Sequence, residues 1–292
     1  MKELLSRYLE ELKFKNKSDN TIEAYGRDIK TFIDFIESRE ESLEDTEVVT
    51  IMAYAQELKI EGKSDSSINR KIIAVKGFYK YLIKRNILQN NTFDKYDMKQ
   101  IKREVPSILT IEEVNKLLAT PDTSINKGIR DKAMLEVLYA TGMKVTELLN
   151  ITVEDVNLKY SYIKCRNCRS KERIIPLGSY AINSLEQYLK VRNEMNLLNI
   201  NTLFLNSKGQ LMTRQGFWKI IKGYSVDANI DKEINANTLR HSFAVHLLQN
   251  GADIRSIQEL LGHSGINVTQ IYTSIIKKNK LAEVYKNAHP RA

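Results

Sequence analysis

The chain has 292 residues, 42% of them hydrophobic, and its 45 Lys and Arg residues outnumber its 36 Asp and Glu residues, which gives a net charge of +9. This composition is sufficient for two folded domains and excludes a mainly disordered chain, while four Pro and 12 Gly exclude collagen-like and low-complexity classes. No apolar run approaches the roughly 18 residues of a membrane span. The first residues form an amphipathic pattern rather than a signal peptide, and with only two cysteines this predicts a cytoplasmic protein without a disulfide scaffold.

Residues 1–86 are predicted to form a domain of four amphipathic helices. In each of four segments, apolar residues recur at spacings of three and four, which is the period of one helix face. The segments begin near Leu4, after a cap at Asp19 or Asn20, at Val48 and after Ser64–Ser67. From 87 to 107 the periodicity is lost and the chain is polar up to Pro106, which predicts an interdomain linker.

Residues 108–292 are predicted to form a second domain, helical with one small sheet. It begins with a helix capped at Thr110, where Glu113 completes a capping box, and Gly142 is expected to separate the next two helices. Two β-prone runs, Tyr160–Lys164 and Arg173–Pro176, flank a polar turn and predict a hairpin. Helical patterns resume at Ser179 and in four later segments, about Arg214–Tyr224, Thr238–Gln249, Asp253–Leu261 and Val268–Tyr285. The predicted fold class is therefore mainly α with a small antiparallel β-sheet.

The positive charge is unevenly distributed along the chain, and a basic surface favours an anionic partner such as nucleic acid. Residues 1–108 carry a net charge of +1 and residues 109–292 one of +8. Within the first part, the segment from Lys63 to Arg85 is strongly basic, with Asp65 as its one acidic residue. That segment predicts either a surface that faces DNA or an ordinary solvated helix face. Its candidate DNA-binding residues are Arg70, Lys71, Lys76 and Lys80.

Three residues of the second domain are suited to phosphate chemistry, although each alone also fits a structural role. Arg240, near the start of a predicted helix, has the planar charged fork that binds phosphate oxygens, and the same fork forms structural ion pairs. His263 follows a predicted helix end, where histidines often cap. Tyr272 lies among apolar residues at helical spacing, as core tyrosines do.

The runs that contain these residues resemble a known family. The similarity is to the tyrosine recombinases, that is, the lambda-integrase and Xer-type site-specific recombinases. It lies in the run LRHSFAVHLLQNGADIRSIQELLGHSGINVTQIYT and, upstream, in LEVLYATGMKVTELLNITVEDVN. Their N-terminal core-binding helices are similar to YLEELKFKNKSDNTIEAYGRDIKTFIDFI and INRKIIAVKGFYKYL. The resemblance covers essentially the whole chain. It implies a four-helix core-binding domain over 1–86 and an α+β catalytic domain over 108–292.

The resemblance also implies a reaction that needs neither a metal nor another cofactor. In the family, a tyrosine hydroxyl attacks a DNA phosphodiester and forms a 3′-phosphotyrosine with a free 5′-hydroxyl. The 5′-hydroxyl of the partner strand then reverses this step, so the bond energy is kept in the protein–DNA link. By position, Tyr272 matches the nucleophile, Arg240 the second arginine of the phosphate pocket and His263 the histidine that hydrogen-bonds the phosphate.

Three other positions depart from the family pattern. Lys144 stands where the family has its first arginine, Asn237 where a histidine usually precedes the second arginine, and Cys168 where a lysine acts as general acid. Lys144 keeps the charge but loses the fork; losing a whole oxyanion donor typically costs about 10²–10³ in rate, and a partial replacement costs less. Asn237 can donate a hydrogen bond to phosphate but cannot accept and return a proton.

The hairpin turn offers two candidates for the general acid. Cys168, with a reference pKa of about 8.5, can donate a proton but lacks the charge of a lysine, and Lys171 on the same turn is a candidate surrogate. Cys165 and Cys168 also form a CxxC, which zinc sites and redox pairs use, although with only two cysteines no metal is expected. If Cys168 lies over the phosphate, a disulfide with Cys165 would silence the site.

The resemblance also predicts how the protein is arranged on DNA. The basic residues of the hairpin are expected to face those of the Lys63–Arg85 segment across duplex DNA, as the two sides of a clamp. The hairpin residues are Lys164, Arg166, Arg169 and Arg173. The tail Ile275–Tyr285 resembles the exchanged C-terminal helix of the family. This implies a homotetramer, or a heterotetramer with a related recombinase, on two DNA sites.

The sequence therefore predicts a site-specific recombinase or integrase that cuts and rejoins DNA through a 3′-phosphotyrosine. Tyr272, Arg240 and His263 favour that function. The alternative is a catalytically impaired family member that acts as a DNA-binding accessory or regulatory protein, which the three departures favour. A helical interaction protein unrelated to DNA is a third class, and binding to duplex DNA would exclude it.

Overall fold

The computed structural model describes residues 1–98, 106–166, 172–196, 198–262 and 272. The chain divides into two compact units, Met1–Glu104 and Val105–Ala292, each with its own hydrophobic core. The described residues are mostly helical, and their strands form one antiparallel sheet of three strands. The prediction of a mainly α protein with a small antiparallel sheet is confirmed. Over these residues, no helix is both long and apolar enough to span a bilayer.

The N-terminal unit contains the four predicted helices. They are α1 (Lys2–Phe14), α2 (Asp19–Glu37), α3 (Val48–Ile60) and α4 (Asp65–Lys84). The cap of α2 is Ser18, one residue before the predicted position, because the Ser18 side chain accepts a hydrogen bond from the Thr21 N–H. Ser64 caps α4 in the same way through the Ser67 N–H. A serine hydroxyl at the cap satisfies one of the amides that the first helical turn leaves without a partner.

An aromatic cluster forms the centre of the N-terminal core and extends beyond the predicted helices. The Phe32 ring of α2 meets the rings of Tyr54, Tyr79 and Phe93 edge-on, and these four side chains are at most 1% exposed. Phe93 lies in a 3₁₀ helix, Thr92–Asp94, within the segment predicted to be linker. That segment therefore packs on the N-terminal core through the buried Leu88 and Phe93, and Tyr96 and Met98 pack against the same core as partly buried side chains. Helical periodicity did not indicate this, because these side chains lie outside the α-helices.

The C-terminal unit is built around α6. Its helices are α5 (Ile111–Ala119), α6 (Asn126–Thr141), α7 (Val145–Asn150), α8 (Ser179–Met195), α9 (Arg214–Asp227), α10 (Ala236–Gln249) and α11 (Ile254–Leu261). Helix α6 packs on α8 and α10, and its Met134 and Leu138 are fully buried. The predicted capping box of α5 is present, since Thr110 N–H donates to Glu113 Oε2 at 2.7 Å and Glu113 N–H donates to Thr110 Oγ1 at 3.2 Å.

The small sheet consists of β1 (Val156–Asn157), β2 (Tyr162–Arg166) and β3 (Glu172–Pro176), in that order. The second strand begins two residues later than predicted, because Ser161 adopts a left-handed conformation with φ of 55°. The register pairs Cys165 with Arg173 and Arg166 with Glu172. The polar turn between the two strands lies outside the described residues.

Gly142 fixes the point at which α6 ends and α10 crosses it. It has φ of 56°, in the left-handed region that favours glycine, and it forms the C-cap of α6. A Cβ atom at Gly142 would lie 2.2 Å from Cδ1 of Phe243 on α10. Only a glycine therefore allows both the turn and the close approach of α10 to the end of α6.

Candidate active site

Arg240 lies near the start of α10 and is almost completely buried, with 5% of its surface exposed. Its Nη1 donates to the Gly142 carbonyl at 2.6 Å, and its Nη2 donates to the Leu261 carbonyl at 2.8 Å. Both carbonyls lie at the C-terminal ends of helices, α6 and α11, where the helix dipole places negative partial charge. The guanidinium is therefore held in one orientation by two helix ends. Burial lowers the pKa of Arg240, and the nearby carboxylate of Glu147 opposes this shift.

Tyr272 is buried beside α10, with 1% of its surface exposed. Its hydroxyl lies 2.8 Å from Nδ1 of His241, the residue that follows Arg240. Burial raises the pKa of Tyr272, and the positive charge of Arg240 partly offsets that increase. Burial, followed by the charge of Arg240, lowers the pKa of His241, so that its imidazole is neutral near pH 7.

His241 is a residue of this site that the sequence analysis did not select. It stands in the same LRHS run as Arg240, but neighbouring helical residues point in directions about 100° apart. Arg240 is directed at two carbonyls of α6 and α11, and His241 is directed at Tyr272. The sequence could have indicated His241, because it is a second titratable residue next to Arg240.

Lys144 and Asn237, two of the positions that depart from the family pattern, line the same open cavity. Lys144 is the N-cap residue of α7 and is exposed, and Asn237 lies in the first turn of α10. Arg214 and Trp218 of α9 line the cavity with them. The structure therefore places these two predicted site residues at one cavity. Asn237 precedes Arg240 by three residues on α10.

Arg173, predicted to contact DNA, forms a buried ion pair with Glu147 of α7. Its Nη1 donates to Glu147 Oε1 at 3.0 Å, its Nη2 donates to Oε2 at 2.8 Å, and its Nε donates to the Leu260 carbonyl at 2.8 Å. The Arg173 side chain is 11% exposed. Burial by itself would raise the pKa of Glu147, but the hydrogen bonds from Arg173 and from the Lys144 N–H lower it below the ordinary value. Arg173 thus ties β3 to α7 and α11.

Cys165 of β2 faces the interior of the unit, with 1% of its surface exposed. Burial, followed by the negative charge of Glu147, raises the pKa of Cys165 to about 12. The Cys165 thiol is therefore protonated at neutral pH and unreactive. Across the described part of the chain, no group of three or more His, Cys, Asp and Glu side chains has the arrangement of a metal site.

Of the remaining predicted DNA-binding residues of the hairpin, two lie on β2 and are exposed. Lys164 is one, and Arg166 is the other, with 60% of its side chain exposed. Arg166 Nε donates to Glu172 at 2.9 Å, and its Nη2 lies 3.4 Å from Asp155. Four predicted residues, Cys168, Arg169, Lys171 and His263, lie outside the described residues, as does the predicted tail helix.

The predicted DNA-binding residues of α4 differ in how much of their charge is available. Arg70 and Lys71 both pair with Asp28, a carboxylate whose side chain is 4% exposed; Lys71 Nζ lies 3.2 Å from it and is 13% exposed. Lys76 Nζ lies 3.0 Å from Asp94. Arg70 keeps 49% of its side chain exposed, and Lys80 is exposed. The exposed charge of this helix is thus smaller than its sequence indicates.

Comparisons with family models match both units. The model of the phage integrase family matches residues 107–279, and the model of the phage integrase N-terminal SAM-like domain matches residues 5–86. The chain is 42% identical over 293 residues to "Tyrosine recombinase XerD" of Listeria innocua, with 95% of each chain covered. It is 40% identical over 296 residues to the protein of the same name from Staphylococcus haemolyticus, with both chains covered completely.

Solved structures agree with these matches. The XerH site-specific recombinase bound to palindromic difH substrate, a post-cleavage complex, is similar with a TM-score of 0.76 and 25% identity, over 96% of this chain and 83% of that one. The XerA recombinase is similar with a TM-score of 0.56 and 29% identity, over 100% and 99% of the two chains. A lambda integrase dimer bound to a core site has a TM-score of 0.73 over 93% and 94% of the chains, and at 18% identity it shows the fold alone.

Proposed function

The chain belongs to the phage integrase family, so it is a tyrosine recombinase that acts on DNA, and we propose which of its residues carry the reaction. Tyr272 attacks the scissile phosphodiester and forms a 3′-phosphotyrosine, which the 5′-hydroxyl of the partner strand then resolves. The observation that supports this most directly is the buried Tyr272 hydroxyl beside the carbonyl-held Arg240. A nucleophile and a fixed cation are the two groups that attack on a phosphodiester requires first.

Arg240, His263, Lys144 and Asn237 stabilise the charge on the non-bridging phosphate oxygens. A guanidinium whose other donors bind carbonyls loses little conformational freedom when phosphate arrives, so its contribution is preorganised. Lys144 and Asn237 line one cavity that is open to solvent. Lys144 supplies charge without the bidentate geometry of an arginine. Lys171 or Cys168 protonates the leaving 5′-oxygen.

Basic residues of both units bind the DNA backbone. On the N-terminal unit these are Arg70 and Lys80, and on the hairpin Lys164, Arg166 and Arg169, whereas Lys76 is paired with Asp94. Lys71 and Arg173 act in the fold instead, because their charges are held by Asp28 and Glu147. Residues 1–86 serve as the core-binding domain and residues 108–292 as the catalytic domain, and residues 87–107 join them. Four copies, or two copies with two of a related recombinase, act on two DNA sites in the cytoplasm.

A covalent adduct on DNA tests the proposed function. The probe is a nicked suicide duplex that carries the site selected by the protein from random-sequence DNA, since the nick releases the 5′-end and traps the phosphotyrosine. We expect a protein–DNA adduct that survives denaturation and is absent with Tyr272→Phe, while duplex binding by Tyr272→Phe remains. Duplex binding by the wild-type chain without any adduct would contradict the proposal.

The same assay decides the alternative function, an impaired accessory or regulatory protein. The relatives named above carry the names of recombinases, and a chain that binds DNA only would give no adduct at any protein concentration. Slow formation of the adduct would instead indicate a recombinase with a weakened phosphate pocket.

A further inference from the structure

The nucleophile has a hydrogen-bond partner to which the family pattern assigned no role. Nδ1 of His241 lies 2.8 Å from the Tyr272 hydroxyl, and the two ring centroids are 5.6 Å apart. We propose that His241 is the general base of this enzyme: it takes the proton of Tyr272 as the hydroxyl attacks phosphorus, and it returns that proton when the strand is rejoined. The proposal rests on the proposed function, because it names the residue that activates the proposed nucleophile.

Tyr272 needs a proton acceptor more than an exposed tyrosine does. Burial raises the pKa of its hydroxyl, so the phenolate is scarce at neutral pH. Asn237 stands where the family usually has a histidine, and a carboxamide cannot take up and return a proton. His241 is an imidazole already within hydrogen-bond distance of the oxygen that reacts.

The surroundings of His241 keep its ring in the form that accepts a proton. Burial and the adjacent positive charge of Arg240 both disfavour the imidazolium, so the ring is neutral near pH 7. In the tautomer that carries its hydrogen on Nε2, Nδ1 accepts the hydrogen bond of the phenol. Arg240 also stabilises the phenolate that forms, since its charge lowers the pKa of Tyr272.

The second histidine of α10 is committed to a different contact. Nδ1 of His246 lies 2.9 Å from the Tyr139 hydroxyl, and its Nε2 lies 3.0 Å from the Leu109 carbonyl. Both ring nitrogens of His246 therefore have structural partners, whereas His241 contacts the nucleophile. This difference makes His246 a matched control for His241 on the same helix.

The proposed step balances without a further reagent. A lone pair of the Tyr272 oxygen forms the bond to phosphorus as the P–O5′ bond breaks, and the electron pair of the broken bond remains on the 5′-oxygen. The phenolic proton moves to Nδ1 of His241, and the leaving oxygen takes a proton from the acid of the hairpin, Lys171 or Cys168. Rejoining reverses both transfers, so His241 ends in its starting form.

The test compares two nicked duplexes that carry the selected site and differ in one atom. One has the natural 5′-oxygen at the scissile bond, and the other has sulfur there, which leaves as a thiolate without needing a proton. General base catalysis typically contributes about 10²–10⁴ in rate, so we expect His241→Asn to form the adduct at least about 100-fold more slowly than wild type on both substrates. His246→Asn should form it at close to the wild-type rate.

Three results of this comparison would overturn the proposal. The first is a wild-type rate for His241→Asn, and the second is a defect that the sulfur substrate removes, because that would make His241 the acid for the leaving group. The third is an equal loss in His246→Asn, which would indicate a general disturbance of α10. A wild-type chain that gives no adduct contradicts the proposed function and this inference together, whereas the first three results leave the proposed function intact.

A measurement on the folded protein covers the case in which His241→Asn fails to bind DNA. The ¹⁵N resonances of the His241 ring are compared between the wild-type chain and Tyr272→Phe, which lacks the hydroxyl. We expect the Nδ1 resonance to move when the phenolic hydrogen bond is lost, and added imidazole to restore adduct formation to His241→Ala. An unchanged Nδ1 resonance would overturn the proposal.

Discussion

Lys144 is the residue at which a small chemical change has the clearest expected effect on rate. It lies exposed at the start of α7 and shares a cavity with Asn237. Its ammonium supplies one charge, whereas a guanidinium at the same place would bind two phosphate oxygens at once. In the proposed phosphate pocket, Lys144 would therefore replace only part of what a second arginine supplies beside Arg240.

Lys144→Arg should therefore accelerate formation of the phosphotyrosine. Because a complete oxyanion donor is worth about 10²–10³ in rate and lysine already supplies part of it, we expect a gain of about tenfold. The measurement is the single-turnover rate of adduct formation on the nicked duplex. Lys208→Arg makes the same chemical change on an exposed turn and should leave the rate unchanged. A slower Lys144→Arg enzyme would show that Lys144 does not occupy the arginine position.

The ion pair of Glu147 and Arg173 stabilises the backbone around Lys144. The carboxylate accepts both Nη atoms of Arg173 and also the Lys144 N–H at 2.8 Å. Glu147 therefore positions the backbone of Lys144 while it neutralises a cation that the sequence had assigned to DNA. The TGMKVTEL run contained this glutamate, but its partner lies 26 residues away, and helical spacing carries no information about that pairing.

At the scale of elements, the site depends on the crossing of α6 and α10 at Gly142. The Gly142 carbonyl binds Arg240, and the missing side chain of Gly142 lets the Phe243 ring approach. The backbone of Leu109, just before α5, is hydrogen-bonded to α10 as well. Ser242 Oγ accepts a hydrogen bond from the Leu109 N–H at 2.9 Å, and His246 contacts the Leu109 carbonyl. Helix α10 is thus fixed along its length by backbone groups.

Gly142→Ala should destabilise the C-terminal unit. The left-handed conformation costs a non-glycine residue about 1–2 kcal/mol, and overpacking against Phe243 typically adds about 1–3 kcal/mol. Trp218 is the one tryptophan of the chain and lies on α9, so its fluorescence during urea unfolding reports on this unit. Gly223→Ala on α9 is the matched control, because a Cβ there meets nothing within 4 Å, and it should not destabilise. Equal midpoints for the two variants would contradict this account.

At the scale of the whole molecule, the net charge of +9 overstates the charge that is available to DNA. Arg70 and Lys71 share Asp28, Lys76 pairs with Asp94, and Arg173 pairs with Glu147. Exposed cations such as Lys80 and Lys164 remain for phosphate contacts. Affinity for DNA depends on these contacts through the release of counterions, and the total charge matters less.

The salt dependence of DNA binding should separate the two kinds of cation. Lys80→Gln should reduce the slope of log K against log salt by about 1, because one phosphate contact is lost. Lys71→Gln should leave the slope near that of wild type and lower the thermal stability, because Asp28 loses one of its two cations. Fluorescence anisotropy with the selected duplex measures the slopes. An equal reduction by both substitutions would place Lys71 on the DNA surface as well.

The sequence by itself determined the helices, the small sheet, the break at Gly142 and the family, because these depend on local spacing and on motifs that are contiguous in the chain. It also selected Tyr272 and Arg240. The tertiary structure decided which charged residues are free to act, since His241 meets Tyr272 across 31 residues and Arg70 meets Asp28 across 42. Hydrophobic periodicity specifies which face of a helix is buried. It does not specify which polar groups of distant segments come into contact. In this protein, such contacts determine the hydrogen-bond partner of Tyr272 and the positive charge that remains for DNA.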